Sequence, residues 1–117
     1  MKSIAVVLAT LLVGASAYAA DTGGHYYVIG AGGRSCKEYT AATAEQKLFV
    51  ETWLAGYITA MNRATPDTYH ITGETTPQAM NTMIAKYCTD NPDIAVGIAI
   101  HKVIEYLQPN RIRKSPN

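Results

Sequence analysis

The chain has 117 residues, with ten Lys and Arg against nine Asp and Glu, three His and two Cys. That length accommodates one domain around one core, and a formal charge of +1 supplies no basic field for nucleic acid or an anionic membrane surface. The carboxylates are scattered singly, no Gly-x-Ser-x-Gly turn occurs, and His25, His70 and His101 form no HxxH or HExxH pair, so catalytic residues, a metal and a cofactor are not expected.

Met1 and Lys2 precede an apolar run from Ile4 to Val13, followed by Gly14, Ala15, Ser16 and then Ala17, Tyr18 and Ala19. A cation, an apolar stretch and small residues at a cleavage point are the order of a secretory signal, here residues 1–19. The run is about ten residues long, against roughly twenty for a span of the bilayer. No cysteine stands beside the cleavage point to take a lipid; the first is Cys36. The expectation is export to the periplasm of a Gram-negative cell and a mature chain, from about Ala20, with no membrane attachment. Without Lys2 that chain holds nine cations and nine anions.

Residues 20–34 are rich in Gly and Tyr, with Tyr26, Tyr27, Val28 and Ile29 as the only apolar run, and read as a flexible arm. Gly30, Ala31, Gly32 and Gly33 follow that run much as a dinucleotide-binding turn follows a strand. Ser35 stands where the third glycine belongs, however, and no βαβ unit follows.

Helices are predicted over residues 35–108. Ser35 with Glu38 has capping-box spacing and opens a first turn that holds Cys36; Thr43 with Gln46 repeats the spacing and opens a long helix to about Asn62. On it Phe49, Trp53, Tyr57 and Met61 recur at four-residue intervals and form the candidate apolar stripe, either a core face or a surface for a client or a second copy. Thr52, Gly56 and Ala60 form a parallel row of small residues, read as close packing within the monomer, with a dimer seam as the alternative. Residues 64–75 are a loop. Thr76 and Pro77 start a third helix that ends at Cys88, and Asn91, Pro92 and Asp93 start a fourth that Pro109 stops. Residues 109–117, with Arg111, Arg113 and Lys114, are a basic tail of the kind that is usually frayed and solvated. The sum is an all-α, single-domain bundle of about four helices.

Two cysteines in an oxidising compartment make a Cys36–Cys88 disulfide the simplest reading. An intermolecular bridge and a metal site are the alternatives, and two sulfurs without a nearby CxxC or HxxxH make a poor zinc site.

The frame of Ser35, Cys36, Lys37, Glu38 and Tyr39, the helix Val50 to Asn62, then Thr76 and Pro77 leading to Tyr87 and Cys88 and a final helix, resembles the HdeA family of small periplasmic proteins. The resemblance implies an all-helical fold with one disulfide. For the best-known members it implies a holdase chaperone, dimeric and inactive near neutral pH, that exposes apolar surface to unfolded periplasmic clients when acidified. The chain departs from those members in lacking lysine-rich segments and in its aromatic stretch Trp53 to Tyr57. Gly56, Tyr57, Asn91 and Pro92 are equally compatible with Tai-type immunity proteins, which bind one specific partner, a secreted cell-wall amidase. An HdeA-like periplasmic protein of a different role is the third reading. For acid sensitivity the candidate carboxylates are Glu38 in the capping box and Asp93 at the expected helix start.

Overall fold

Local capping chemistry sets three of the four helix starts. In α1, Cys36–Ala41, the Ser35 hydroxyl accepts from the Glu38 N–H at 3.1 Å while the Ser35 N–H donates to the Glu38 carboxylate at 2.7 Å. In α2, Ala44–Ala64, Thr43 and Gln46 exchange the same pair of bonds at 3.2 and 3.0 Å. In α3, Pro77–Asp90, the Thr76 hydroxyl accepts from the Ala79 N–H at 3.2 Å, and Pro77 occupies the first turn, where an N–H has no helical partner. The computed structural model describes residues 20–117; the expected signal peptide, 1–19, lies outside the described residues. The described chain is all-helical, with two isolated bridges and no strand.

The fourth helix departs from expectation. α4 is Val96–Leu107, four residues later than the Asn91–Pro92 start the sequence suggests. Asn91 instead closes α3, its side-chain amide donating to the Tyr87 carbonyl at 3.0 Å. The residues after it are drawn into an antiparallel pairing with the start of α1. Lys37 N–H donates to the Pro92 carbonyl at 2.8 Å, Cys36 N–H to that of Ile94 at 2.7 Å, and Val96 N–H to that of Arg34 at 2.7 Å. The exposed N–H groups that open α1 and α4 are thus satisfied by each other's flanking carbonyls, so α4 starts without a side-chain cap.

Beside this pairing Cys36 and Cys88 are joined, both buried, with their Cα atoms 4.8 Å apart. The bond fixes α1 to the C-terminal end of α3, and α3 and α4 pack on each other. The core is built mainly by α4, seven of whose twelve residues are buried, including Ile100, Val103, Ile104 and Leu107. Facing them are Met80 and Ile84 of α3, Tyr39 of α1 and Ile71 from the loop between α2 and α3. α2, with 21 residues, contributes only Val50 and Leu54 as buried side chains.

The basic tail is not free. Ile112 pairs with His70: its carbonyl accepts from the Tyr69 and His70 N–H groups at 2.8 and 3.0 Å, and its N–H returns to the His70 carbonyl at 3.0 Å. The Arg111 guanidinium donates to the Asp67 carbonyl, and Arg113 pairs with the Asp67 carboxylate. The charge cluster that suggests a frayed end therefore finds its acceptors on the 64–75 loop. Gly73 makes the approach possible: its φ is +61°, and a Cβ there would stand 2.5 Å from the Asn110 carbonyl oxygen. Gly73→Ala is expected to cost about 1–3 kcal/mol through backbone strain and loss of this contact. A chemical denaturation midpoint unchanged from the parent would contradict it.

Candidate functional site

The apolar row expected on α2 does not lie on one face. Four residues turn an α-helix by about 400°, so each step drifts by about 40° and Met61 lies about 120° around from Phe49. Phe49 is accordingly exposed, at 60%, beside exposed Leu48, while Trp53, Tyr57 and Met61 are half-buried against the core. The buried face runs through Val50 and Leu54 instead. The small-residue row is also turned outward: Thr52, Gly56 and Ala60 are exposed, and a Cβ on Gly56 would meet nothing within 4 Å. Close packing within the monomer is therefore not its role.

Trp53 and Tyr57 form the centre of a half-buried cluster between α2 and α4. Their rings stack at 5.1 Å. The Trp53 indole N–H donates to the Ile29 carbonyl at 2.7 Å, and Gly32, buried in the 3-10 turn Gly30–Gly33, lies against the indole face. A Cβ on Gly32 would come within 2.5 Å of that ring. The packed region thus begins ahead of the boundary expected at residue 35, because the glycines read as a flexible arm give the backbone room to lie on the indole.

The Tyr57 hydroxyl and His101 Nδ1 of α4 are 2.7 Å apart, His101 Nε2 is 3.3 Å from the Glu105 carboxylate, and Tyr26 sets its ring edge to His101 at 5.9 Å. Burial pushes the Tyr57 hydroxyl up to about 12, with Tyr26 beside it adding to the shift. The line Tyr57, His101, Glu105 has the order of a nucleophile, base and orienting carboxylate. A phenol held protonated and half-covered by residues 26–32 is a poor nucleophile, and the cluster acts as packing that carries a titratable edge. Glu105 is held below the usual carboxylate range, first by the hydrogen bond from Lys102 and also by His101. Neither residue is among the candidates the sequence suggests, although His101 and Glu105 are four apart on one helix, a spacing that brings side chains together.

Of the two acid candidates, Glu38 is held below the usual carboxylate range by the Ser35 backbone N–H and then the Ser35 hydroxyl. A carboxylate whose folded pKa is lowered gives stability that is present above its unfolded pKa and lost as pH falls through the folded one. Glu38→Gln should therefore flatten the acid limb of the stability curve below about pH 4. A limb of unchanged slope would remove Glu38 from the response. Asp93 is exposed in the link between α3 and α4 rather than at a helix start.

Two open cavities flank the core. One, of about 360 Å³, lies between α2 and α3 over Leu54, Ile58 and Met80, with His70, Glu51 and Asn81 at its rim. Asn81 donates there to the Glu51 carboxylate at 3.1 Å. The other, of about 320 Å³, lies between α3 and α4 and is lined by Met83, Tyr87, Val103 and Tyr106 with Lys86 and Lys102. Among the described residues no group of three His, Cys, Asp or Glu side chains is placed to hold a metal, and no helix is long and apolar enough to cross a membrane.

A family model described as the HdeA/HdeB family matches residues 2–97, ending two residues into α4. No curated protein and no solved structure matches the chain.

Proposed function

Since the chain belongs to the HdeA/HdeB family, we propose that it is a periplasmic stress protein that holds unfolded clients when acidified. The observation that carries this reading is the uneven anchoring of its helices. α1 and α3 are joined covalently and α4 buries seven of twelve residues, whereas α2 buries two of 21 and exposes Leu48 and Phe49. A destabilising condition acts first where burial is least, here on the contacts over the aromatic row of that helix.

Acid supplies such a condition. From residue 20 onward, nine carboxylates lose their charge while nine Lys and Arg and three His are positive, so the net charge moves from near zero to about twelve positive. Self-repulsion then opposes compactness, and the disulfide limits the expansion. The product is a loosened chain with apolar surface exposed, kept soluble by charge. Phe49, Trp53, Tyr57 and Met61 supply the client surface, and the exposed row of Thr52, Gly56 and Ala60 offers a seam for a second copy in the resting state.

Dye binding, sedimentation and suppression of client aggregation, followed from about pH 7 to about pH 2, test the reading. Dye binding and client protection should appear together below about pH 3–4. A chain that binds no dye, keeps its oligomeric state and protects no client across the range is not an acid-activated holdase. The cavity between α2 and α3, with its rim fixed by the Asn81–Glu51 bond, favours a second reading, an immunity protein that inserts a partner's side chain there. That reading requires a tight complex with one amidase at neutral pH.

A further inference from the structure

The chain from Tyr26 to Gly33 lies in the groove between α2 and α4. Tyr26 to Ile29 runs into the 3-10 turn Gly30–Gly33, and its side chains alternate. Tyr26, 40% exposed, meets His101 in a T-shaped pair and Val28 is half-buried over Gly97, whereas Tyr27 and Ile29 face further outward at 89% and 75% exposure. Such alternation is that of a strand laid on a surface, and it leaves two large apolar side chains in solvent with no role in the domain's own packing. One main-chain bond anchors the segment, from the Trp53 indole N–H to the Ile29 carbonyl, and a second, from the Val96 N–H to the Arg34 carbonyl, holds the chain just after it. Main-chain bonds of this kind are available from any extended peptide.

The side-chain requirements of the groove are few and can be stated. Gly97 admits Val28 Cγ1 so closely that a Cβ on Gly97 would stand 2.8 Å from it. Trp53 accepts only a residue without Cβ where Gly32 lies. The groove therefore takes a short stretch with apolar side chains at alternate positions, followed by a tight turn that sets a very small residue, four on from the position of Val28, against Trp53.

We infer that this groove, floored by Trp53, Tyr57, Gly97 and His101, is a binding site for extended apolar segments of unfolded clients, and that residues 26–33 occupy it as an internal stand-in until a client displaces them. The inference rests on the holdase reading and names the site for it. Acid favours the exchange through the groove's own edge. Tyr26 of the segment, Tyr57 of α2, and Lys102 and Glu105 of α4 are the titratable groups that face His101. While Glu105 is ionised its carboxylate is paired with Lys102 at 3.0 Å and lies 3.3 Å from His101 Nε2. Once pH falls through its folded pKa, Lys102 loses its counter-charge at the groove's edge and the segment loosens. Both residues lie beyond the stretch that the family model matches.

Trp53 is the only tryptophan, so its emission reports the state of the groove. In the full exported chain, Gly32→Val should expel the segment, shift Trp53 emission to the red at neutral pH, and confer at neutral pH the client protection that the parent shows only in acid. A synthetic peptide of residues 24–34 should reverse the emission shift and block that protection, and the same peptide carrying Gly32→Val should do neither. If Gly32→Val fails to fold, Val28→Asp, which alters only the half-buried contact over Gly97, should give the same result. An emission shift with no gain of protection and no effect of the peptide, in a parent that does protect in acid, would overturn the inference and leave the holdase reading standing. A neutral-pH dimer of the variant without client protection would assign the groove to a second copy and would equally overturn it. A parent that protects nothing in acid would remove both readings.

Discussion

Replacing Cys36 and Cys88 together by Ala is expected to lower stability at neutral pH by about 4 kcal/mol on the loop-entropy account. The bond joins residues 52 apart in sequence and so closes a loop that takes in α2 and most of α3. A domain of this size has a total stability of about 5–15 kcal/mol, so the paired substitution takes a large share of it. Urea unfolding of the doubly substituted chain should show the midpoint falling by roughly a quarter to four-fifths. A loss under about 1 kcal/mol would mean that the paired segments 34–37 and 92–96 hold the helices without the bond. In acid the same protein should expand fully rather than loosen. Client protection should then fall, because the exposed face is no longer presented by a stapled frame.

Ile104→Ala and Phe49→Ala should separate the core from the candidate binding surface. Ile104 is 1% exposed among α3 and α4 side chains, and its truncation is expected to cost about 2–5 kcal/mol. Phe49 is 60% exposed on α2, and its truncation should leave stability within about 0.5 kcal/mol of the parent. If Phe49 contributes to client or dimer contacts, its loss appears in aggregation suppression or sedimentation while the melting temperature holds. Equal destabilisation by the two substitutions would show that α2 is packed as firmly as α4, and would remove the basis for early exposure of its aromatic row.

The parts of this fold that were legible in the sequence are those decided within one helical turn. The capping pairs Ser35 with Glu38 and Thr43 with Gln46, and Thr76 with Pro77, mark their helix starts because donor and acceptor lie three residues apart or less. Asn91 and Pro92 mislead because the same dipeptide closes one helix as readily as it opens another. Here the choice is made by Cys36 and Lys37, more than fifty residues away, whose N–H groups claim the carbonyls of Ile94 and Pro92. The aromatic row on α2 misleads through a small angular drift that accumulates over three turns. Trp53 could be singled out from sequence, but its partners could not: they are a main-chain carbonyl at Ile29 and the bare backbone of Gly32, which leave no pattern of side chains to read. The tail misleads for the same reason, since Ile112 meets His70 through backbone groups alone.

The pairing of that tail with the 64–75 loop determines where the chain can be cut. A protein ended after Gln108, where the expected helical region stops, would keep all four α-helices and the disulfide but break the 3-10 turn Gln108–Asn110. It would also strip the Tyr69 and His70 N–H groups of their acceptor, leave the Asp67 carboxylate without its cation, and empty the space into which Gly73 admits Asn110. The loop carries Ile71, fully buried, into the core, its N–H held at 2.7 Å by the Asn62 side chain at the end of α2. Releasing the tail therefore loosens the connection that returns the chain from α2 to α3. The contacts that tie the tail to the loop run as far as Arg113, so a fusion joined beyond Lys114 keeps them, whereas one joined at the end of α4 does not.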